Sequence, residues 1–390
     1  MSDMQAQGAA PAAEIADAMD DPRRRPSLAV LFGQPDHLST SFQTRRLARA
    51  LEPWCRPLPL RVPSPRRWRW LRAPARLWSN YLRPFLHQPG ADWLLYANDG
   101  CADLRRWRTP ALLYWYDAPA DWSQTPPTRW IDRLRAGNVR QARHVFAVSA
   151  AQVGVARRLR PGREDSVHYL PVGVDCRVFD PATADPGRVR RQFALPAKTI
   201  IGYLGYLAGH GERFAGEPLA DLAPALLRHL DAHFLVVGFG PAQARFERRV
   251  ADLGVRGHFT FTGYVPDELL PHALAAMDIC VDTLEPGFHS EARSETKLKQ
   301  YMALGRACVA TDLGENRVDL DAGRAGLLVA PDAPAALLDG IVHLCRHPDE
   351  RTRLGHAARA RAEAIYDWSK LAARFARAAG WAPADAGQRA

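Results

Sequence analysis

The feature that most constrains this chain is the spacing of its short apolar runs. "SLAVLFG" (Ser27 to Gly33) ends in glycine and is followed by polar residues, then by "SFQTRRLARALEP", a helical pattern with Phe42, Leu47 and Leu51 among its apolar positions. Further runs at "DWLLYAN" (Asp92 to Asn98), "ALLYWYD" (Ala111 to Asp117), "HVFAVS" (His144 to Ser149) and "SVHYLPVGVD" (Ser166 to Asp175) lie between helix-length segments. That alternation predicts a parallel α/β sheet. A second set runs from "TIIGYLGYL" (Thr199 to Leu207) through "AHFLVVGFG", "HFTFTGYV", "MDICVDTL" and "RACVATDLG" to "GLLVAP" near Pro331. Two doubly wound, Rossmann-like domains follow, with ligands expected at the carboxyl ends of the strands.

The expected division is a disordered tail at 1–26, a first domain at 27–190 and a second at 191–364. A helix over 365–390, with Leu371 and Phe375 on one side, packs back on the first domain. The Pro/Ala/Asp-rich stretch from Phe179 to Lys198 reads as the connection between the domains. No period of about 20 to 50 residues repeats, which sets aside solenoids and propellers.

The 390 residues are 47% hydrophobic and 24% charged, ordinary for a globular chain long enough for two domains. Six scattered cysteines without any CxxC signal neither a zinc site nor a disulfide framework, and reduced thiols in the cytoplasm are the expectation. The first 25 residues lack a signal-peptide core, and no apolar run reaches membrane-spanning length. A net charge of +10 predicts attraction to an anionic partner without choosing among membrane, nucleic acid and phosphorylated substrate.

"RSETKLKQYMALGRACVAT" (Arg293 to Thr311) carries the sharpest local signal. Ser294 reads as an N-cap, Glu295 to Leu304 as a helix, and Gly305 as a left-handed C-terminal cap. Lys297 then falls at the third helical position, where a cation opposes the helix dipole at a cost of about 0.3–1 kcal/mol. An anion nearby would offset that cost.

Taken in order, "VSAAQ" (Val148 to Gln152), "LPVGVDCRVFDP" (Leu170 to Pro181), "LVVGFGP" (Leu235 to Pro241), "FTGYVPDELLPHALAAMDICVDT" (Phe261 to Thr283) and the 293–311 stretch resemble the retaining glycosyltransferases of the GT-B fold. The likeness is to the large family-4 group and spans roughly Leu28 to Trp381. In that group a helix carries an acidic pair separated by seven residues. Here those positions are Ala292 and Gln300, so the chain looks more like the branch with Ser-Pro-Leu-Lys before the helix. Lys297 matches that lysine, and Glu295 replaces the usual proline.

The resemblance implies a nucleotide-sugar donor whose diphosphate is held by Lys297 and the helix start, with Arg293 and Ser294 beside it. It assigns Gln300, on the same face as Lys297, to the ribose. It gives Arg213, and after it His210, in the loop that starts at Gly205, to the phosphates. Gly238, Gly240 and Tyr264 fall where the family surrounds the base. On the acceptor side it points to Asp117 and Asp121, as a base or hydroxyl-positioning group, and to His37 and Ser41 by position alone. Asp117 serves equally well as a helix cap. The implied mechanism is transfer with retention, the leaving phosphate held by Arg213 and Lys297, with no metal and no separate cofactor.

"PRRWRWLRAPARLWSNYLRPFL" (Pro65 to Leu86) places six arginines and three tryptophans in 22 residues. Such a segment suits a helix packed on the first domain with solvated arginines, an anionic membrane interface leading to a lipid-linked acceptor, or a polyanionic or saccharide acceptor. Nucleic acid fits it least well. Two rival functions remain open beside the transferase: a nucleotide-sugar epimerase of the same fold, and a non-catalytic pseudo-glycosyltransferase that the missing acidic pair would allow.

Overall fold

The computed structural model describes residues 25–32, 39–61, 90–97, 103–116, 130–207 and 216–381, with the backbone alone at 31–32, 39–42, 59–61, 106 and 130–131. By their contacts these residues form two units, 25–172 with 368–381, and 173–367.

The first unit alternates strands and helices: β1 (Ser27–Phe32), α1 (Ser39–Ala50), β2 (Arg56–Arg61), β3 (Trp93–Ala97), β4 (Ala111–Trp115), α2 (Trp130–Gln141), β5 (His144–Ala147), α3 (Ala150–Leu159) and β6 (Val167–Tyr169). The six strands form one parallel sheet in the order β2-β1-β3-β4-β5-β6. β2 is absent from the sequence reading because "RPLPLR" contains two prolines, which supply no backbone donor. At the sheet edge only one side of the strand needs bonding, so the prolines are tolerated there. Leu28, Val30, Leu112, Tyr114 and Phe146 from the strands pack with Leu47 and Leu51 of α1.

The last helix of the chain (Trp368–Ala378) completes that core. Phe375 stacks on Phe146 with ring centroids 3.9 Å apart, and Leu371 is fully buried beside it. The amphipathic pattern of this segment is therefore spent on the first unit.

The second unit contains α4 (Pro186–Gln192), β7 (Thr199–Leu204), α5 (Glu217–His229), β8 (Ala232–Val237), α6 (Gln243–Asp252), β9 (Phe259–Phe261), α7 (Leu270–Ala275), β10 (Ile279–Asp282), α8 (Phe288–Glu291), α9 (Thr296–Ala303), β11 (Ala307–Thr311), α10 (Glu315–Asp319), β12 (Leu327–Val329), α11 (Pro334–Arg346) and α12 (Pro348–Arg361). Its parallel sheet has the order β12-β11-β10-β7-β8-β9. Helices cover both faces, and β8, β10 and β11 are buried along their whole length. Doubly wound sheets of this order have their switch point between the first and fourth strands, here β7 and β10.

The first division falls between Val172 and Gly173, not near 190, whereas the second, between Asp367 and Trp368, lies three residues from the expected 364. Residues 173–190 belong with the second unit for a physical reason. Val174, Cys176, Phe179 and Val189 lie in its core, and the Cys176 N–H donates to the Asp367 carboxylate at 3.0 Å. The proline-rich composition of that stretch reflects its turns, not a free linker.

Candidate functional site

The switch point of the second sheet brings three charged or polar side chains together. Tyr203 is the last residue but one of β7, Asp282 is the last of β10, and Lys297 is the second residue of α9. The Lys297 ammonium lies 2.9 Å from Asp282 Oδ1, 3.9 Å from Glu295 Oε2 and 5.0 Å from the centroid of the Tyr203 ring. Glu295 in turn accepts Arg293 at 2.9 Å. Burial works against the ammonium, but Asp282, Tyr203 and Glu295 outweigh it and hold Lys297 above the ordinary lysine range. Burial likewise opposes the Glu295 carboxylate, while Lys297 and Arg293 pull its pKa down.

The helix start differs from the sequence expectation. α9 begins at Thr296, and its N-cap is Glu295, whose side chain makes no capping bond. Ser294 does not cap the helix; its hydroxyl accepts from the Lys299 ammonium at 2.9 Å. Lys299 has that alternative because it is wholly buried beside Asp319, and it draws the hydroxyl inward. Lys297 is the second helical residue, and its dipole cost is offset within the protein by Asp282 and Glu295. Gly305 follows the helix with φ of +63°, the left-handed cap expected of it. Gln300 is buried one turn along from Lys297.

Beside this cluster, the loops after β7, β8 and β9 are joined by backbone bonds. Gly205 N–H donates to Val237 O at 3.0 Å, Leu207 N–H to Phe239 O at 2.8 Å, and Gly238 N–H to Gly263 O at 3.2 Å. Gly238 has φ of +134°, and a Cβ there would run into the Gly205 carbonyl; one on Gly240 would meet that of Leu207. The glycines thus permit close loop packing.

This packing pushes three aromatic rings outward: Tyr206 is 63% exposed, Phe239 47% and Tyr264 67%. Tyr206 and Tyr264 each meet Phe239 edge to face with centroids 5.5 Å apart. Large rings so exposed and mutually arranged form a ready stacking surface. Tyr264 and the glycines belong to the sequence expectation, whereas Tyr206 and Phe239 do not. Their signal, an aromatic residue after the glycine that ends each strand, is visible in "GYL" and "GFG".

Asp282 is the other residue that sequence reasoning missed. It stands at the end of an apolar run where a turn-forming aspartate is the ordinary reading, and only the fold sets it against Lys297. Of the remaining candidates, His37, Asp117, Asp121, His210 and Arg213, with the segment 65–86, lie outside the described residues, and Ser41 has its backbone alone described, within α1. Among the described residues no three His, Cys, Asp or Glu side chains converge to hold a metal ion, and no helix is long and apolar enough to cross a membrane.

Residues 198–347 match the family model described as glycosyl transferases group 1. Over 170 residues the chain is 34% identical to a 2-deoxystreptamine glucosyltransferase of Streptomyces kanamyceticus, covering 43% of this chain and 41% of that one. It is 29% identical over 219 residues to a GDP-mannose-dependent alpha-(1-6)-phosphatidylinositol monomannoside mannosyltransferase of Mycobacterium tuberculosis, with coverages of 55% and 56%. The chain thus spans about half the length of these relatives. Among solved structures, HepE of Anabaena in complex with UDP and glucose superposes with a TM-score of 0.69 at 16% identity, covering 90% of this chain and 99% of that one. That likeness identifies the architecture as GT-B.

Proposed function

We propose that this chain, which has the GT-B fold and carries a group 1 glycosyltransferase domain at 198–347, is a glycosyltransferase that takes a nucleotide-sugar donor. The observation that carries this reading is the placement of Lys297. A lysine at a helix start in a switch-point crevice, flanked by glycine-lined loops, fits a diphosphate, and the aromatic rim fits a nucleobase. HepE binds UDP, and the mycobacterial relative uses GDP-mannose; a nucleoside diphosphate sugar is the donor class they share.

In this reading Lys297, with Arg213, stabilises the leaving diphosphate while an acceptor hydroxyl attacks the anomeric carbon on the same face, so that configuration is retained. The basic residues serve where other transferases use a metal. The acceptor is a glycan or lipid-linked saccharide, reached from the cytoplasm, and the basic aromatic composition of 65–86 suits an anionic membrane face.

The binding-only alternative draws on Ala292 and Gln300, which replace the acidic pair, and on the pairing of Lys297 with Asp282. A thermal-shift panel of UDP, GDP and their sugars on the wild type and on Lys297→Ala tests the donor site. One nucleotide should raise the melting temperature, by the equivalent of about 2.7 kcal/mol at 100 times its Kd, and Lys297→Ala should lose the response. No shift with any nucleotide overturns the donor reading. A shift without sugar transfer or hydrolysis leaves a binding protein.

A further inference from the structure

Of the 52 basic residues in the chain only four are lysines, at 198, 297, 299 and 370, and two of these are buried on α9. At Lys297 the choice of lysine over arginine has a geometric reason. The site between Asp282 and the Tyr203 ring takes a compact point charge, and a planar guanidinium presents a broad fork instead.

Asp282 itself is fully buried at the end of β10, so it meets no donor directly. Its nearest charged neighbour is Lys297, and through it Asp282 can act on a ligand. From this geometry we propose that Asp282 is the positioning residue for Lys297: by charge pairing it fixes the ammonium over Tyr203, in place to receive the donor diphosphate. The inference rests on the donor reading above, and goes beyond it by assigning a role to a carboxylate outside the helix.

The groups facing the Lys297 ammonium are Asp282 from β10, Tyr203 from β7, and Glu295, with Arg293 behind it, from the segment before α9. Burial, and after it Glu295, raise the Asp282 carboxyl while Lys297 pulls it down, and at 2.9 Å it is the closest counter-charge to the ammonium; Glu295 lies at 3.9 Å and is shared with Arg293. Without Asp282, burial is left opposed only by weaker partners. The ammonium would then lose its proton at a lower pH.

Two measurements test the proposal. In wild-type protein with 13C-labelled lysines, the Lys297 Cε resonance, assigned by its loss in Lys297→Arg, should keep its protonated shift beyond the range of a free lysine, about 10.4. In Asp282→Asn, Lys297 should titrate at a lower pH than in the wild type. Binding of UDP or GDP by that variant, followed by calorimetry from pH 7 to 9, should weaken relative to wild type. Where the new titration point falls inside that range, the loss expected is about tenfold for each pH unit above it. A side chain that merely fills space would leave the two pH profiles parallel.

Titration of wild-type Lys297 at or below the range of a free lysine, about 10.4, overturns the proposal, as does an unchanged Lys297 titration in Asp282→Asn. If Asp282→Asn does not fold, Asp282→Glu, which keeps the charge but moves it, is titrated in its place, and an unchanged Lys297 overturns the proposal. If neither nucleotide binds the wild type, the donor reading fails, while the lysine resonances continue to report whether the pairing exists.

Discussion

Lys299 and Asp319 form an ion pair with both side chains at 0% exposure, joining α9 to α10 in the interior of the second unit. The ammonium also donates to Ser294 and lies 5.4 Å from the Tyr366 ring centroid. Removing one member leaves a buried, uncompensated charge. Lys299→Met is expected to destabilise the second unit by about 3–5 kcal/mol, whereas Lys299→Met with Asp319→Leu recovers most of the loss. Urea unfolding of the three proteins checks this; a double variant no more stable than the single would show that the pair itself is needed.

The parallel strands were legible because a strand buried on both faces is close to continuously apolar, as "ALLYW" is, and as "AHFLVV" is apart from His233, whose Nε2 pairs with the Thr260 hydroxyl at 2.8 Å. β2 escaped because edge position, which excuses its prolines, is a property of the sheet and not of the segment. At the site, Lys297 was legible as a cation in the wrong place for a helix dipole. Its partner Asp282 lies 15 positions earlier on another element, and no local pattern links the two. The same holds for Lys299, whose helical spacing gives no sign that Asp319 waits inside the core.

The exposed aromatic rim separates stability from binding. Tyr264 is 67% exposed, so Tyr264→Ala should change the unfolding free energy by no more than about 0.5 kcal/mol. If a base stacks there, the same change weakens nucleoside diphosphate binding by about 1–3 kcal/mol, or roughly 5- to 150-fold. Calorimetry with UDP and GDP distinguishes these outcomes; unchanged affinity would place the base elsewhere.

Gly238 makes the opposite prediction. Its φ of +134° and its contact with the Gly205 carbonyl leave no room for a methyl group. Gly238→Ala should cost at least about 1–3 kcal/mol and spread the loops after β7 and β8, so nucleotide response and stability fall together. A variant that melts like wild type and still binds nucleotide would contradict the packing of these loops.

The first unit should be acid-sensitive through a pair of histidines. His144 Nδ1 and His168 Nε2 are 3.0 Å apart, and one proton bridges them. Burial, then His168, then Arg143, Arg160 and Arg163 push His144 down to about 4; burial, Arg160 and Arg157 lower His168. An unfolded histidine titrates near pH 6.5, so below that value the unfolded chain binds protons that the folded unit refuses. Stability is therefore unaffected by the pair above about pH 6.5 and falls as pH drops from there toward about 4. His144 contributes about 2–3 kcal/mol of that loss. All 11 tryptophans lie outside residues 173–367, so tryptophan fluorescence reports the first unit alone. Urea midpoints followed in this way from pH 7.5 to 4.5 should decline, and His144→Gln, which is neutral throughout, should flatten the decline. An unchanged slope in the variant would assign the acid sensitivity to other groups.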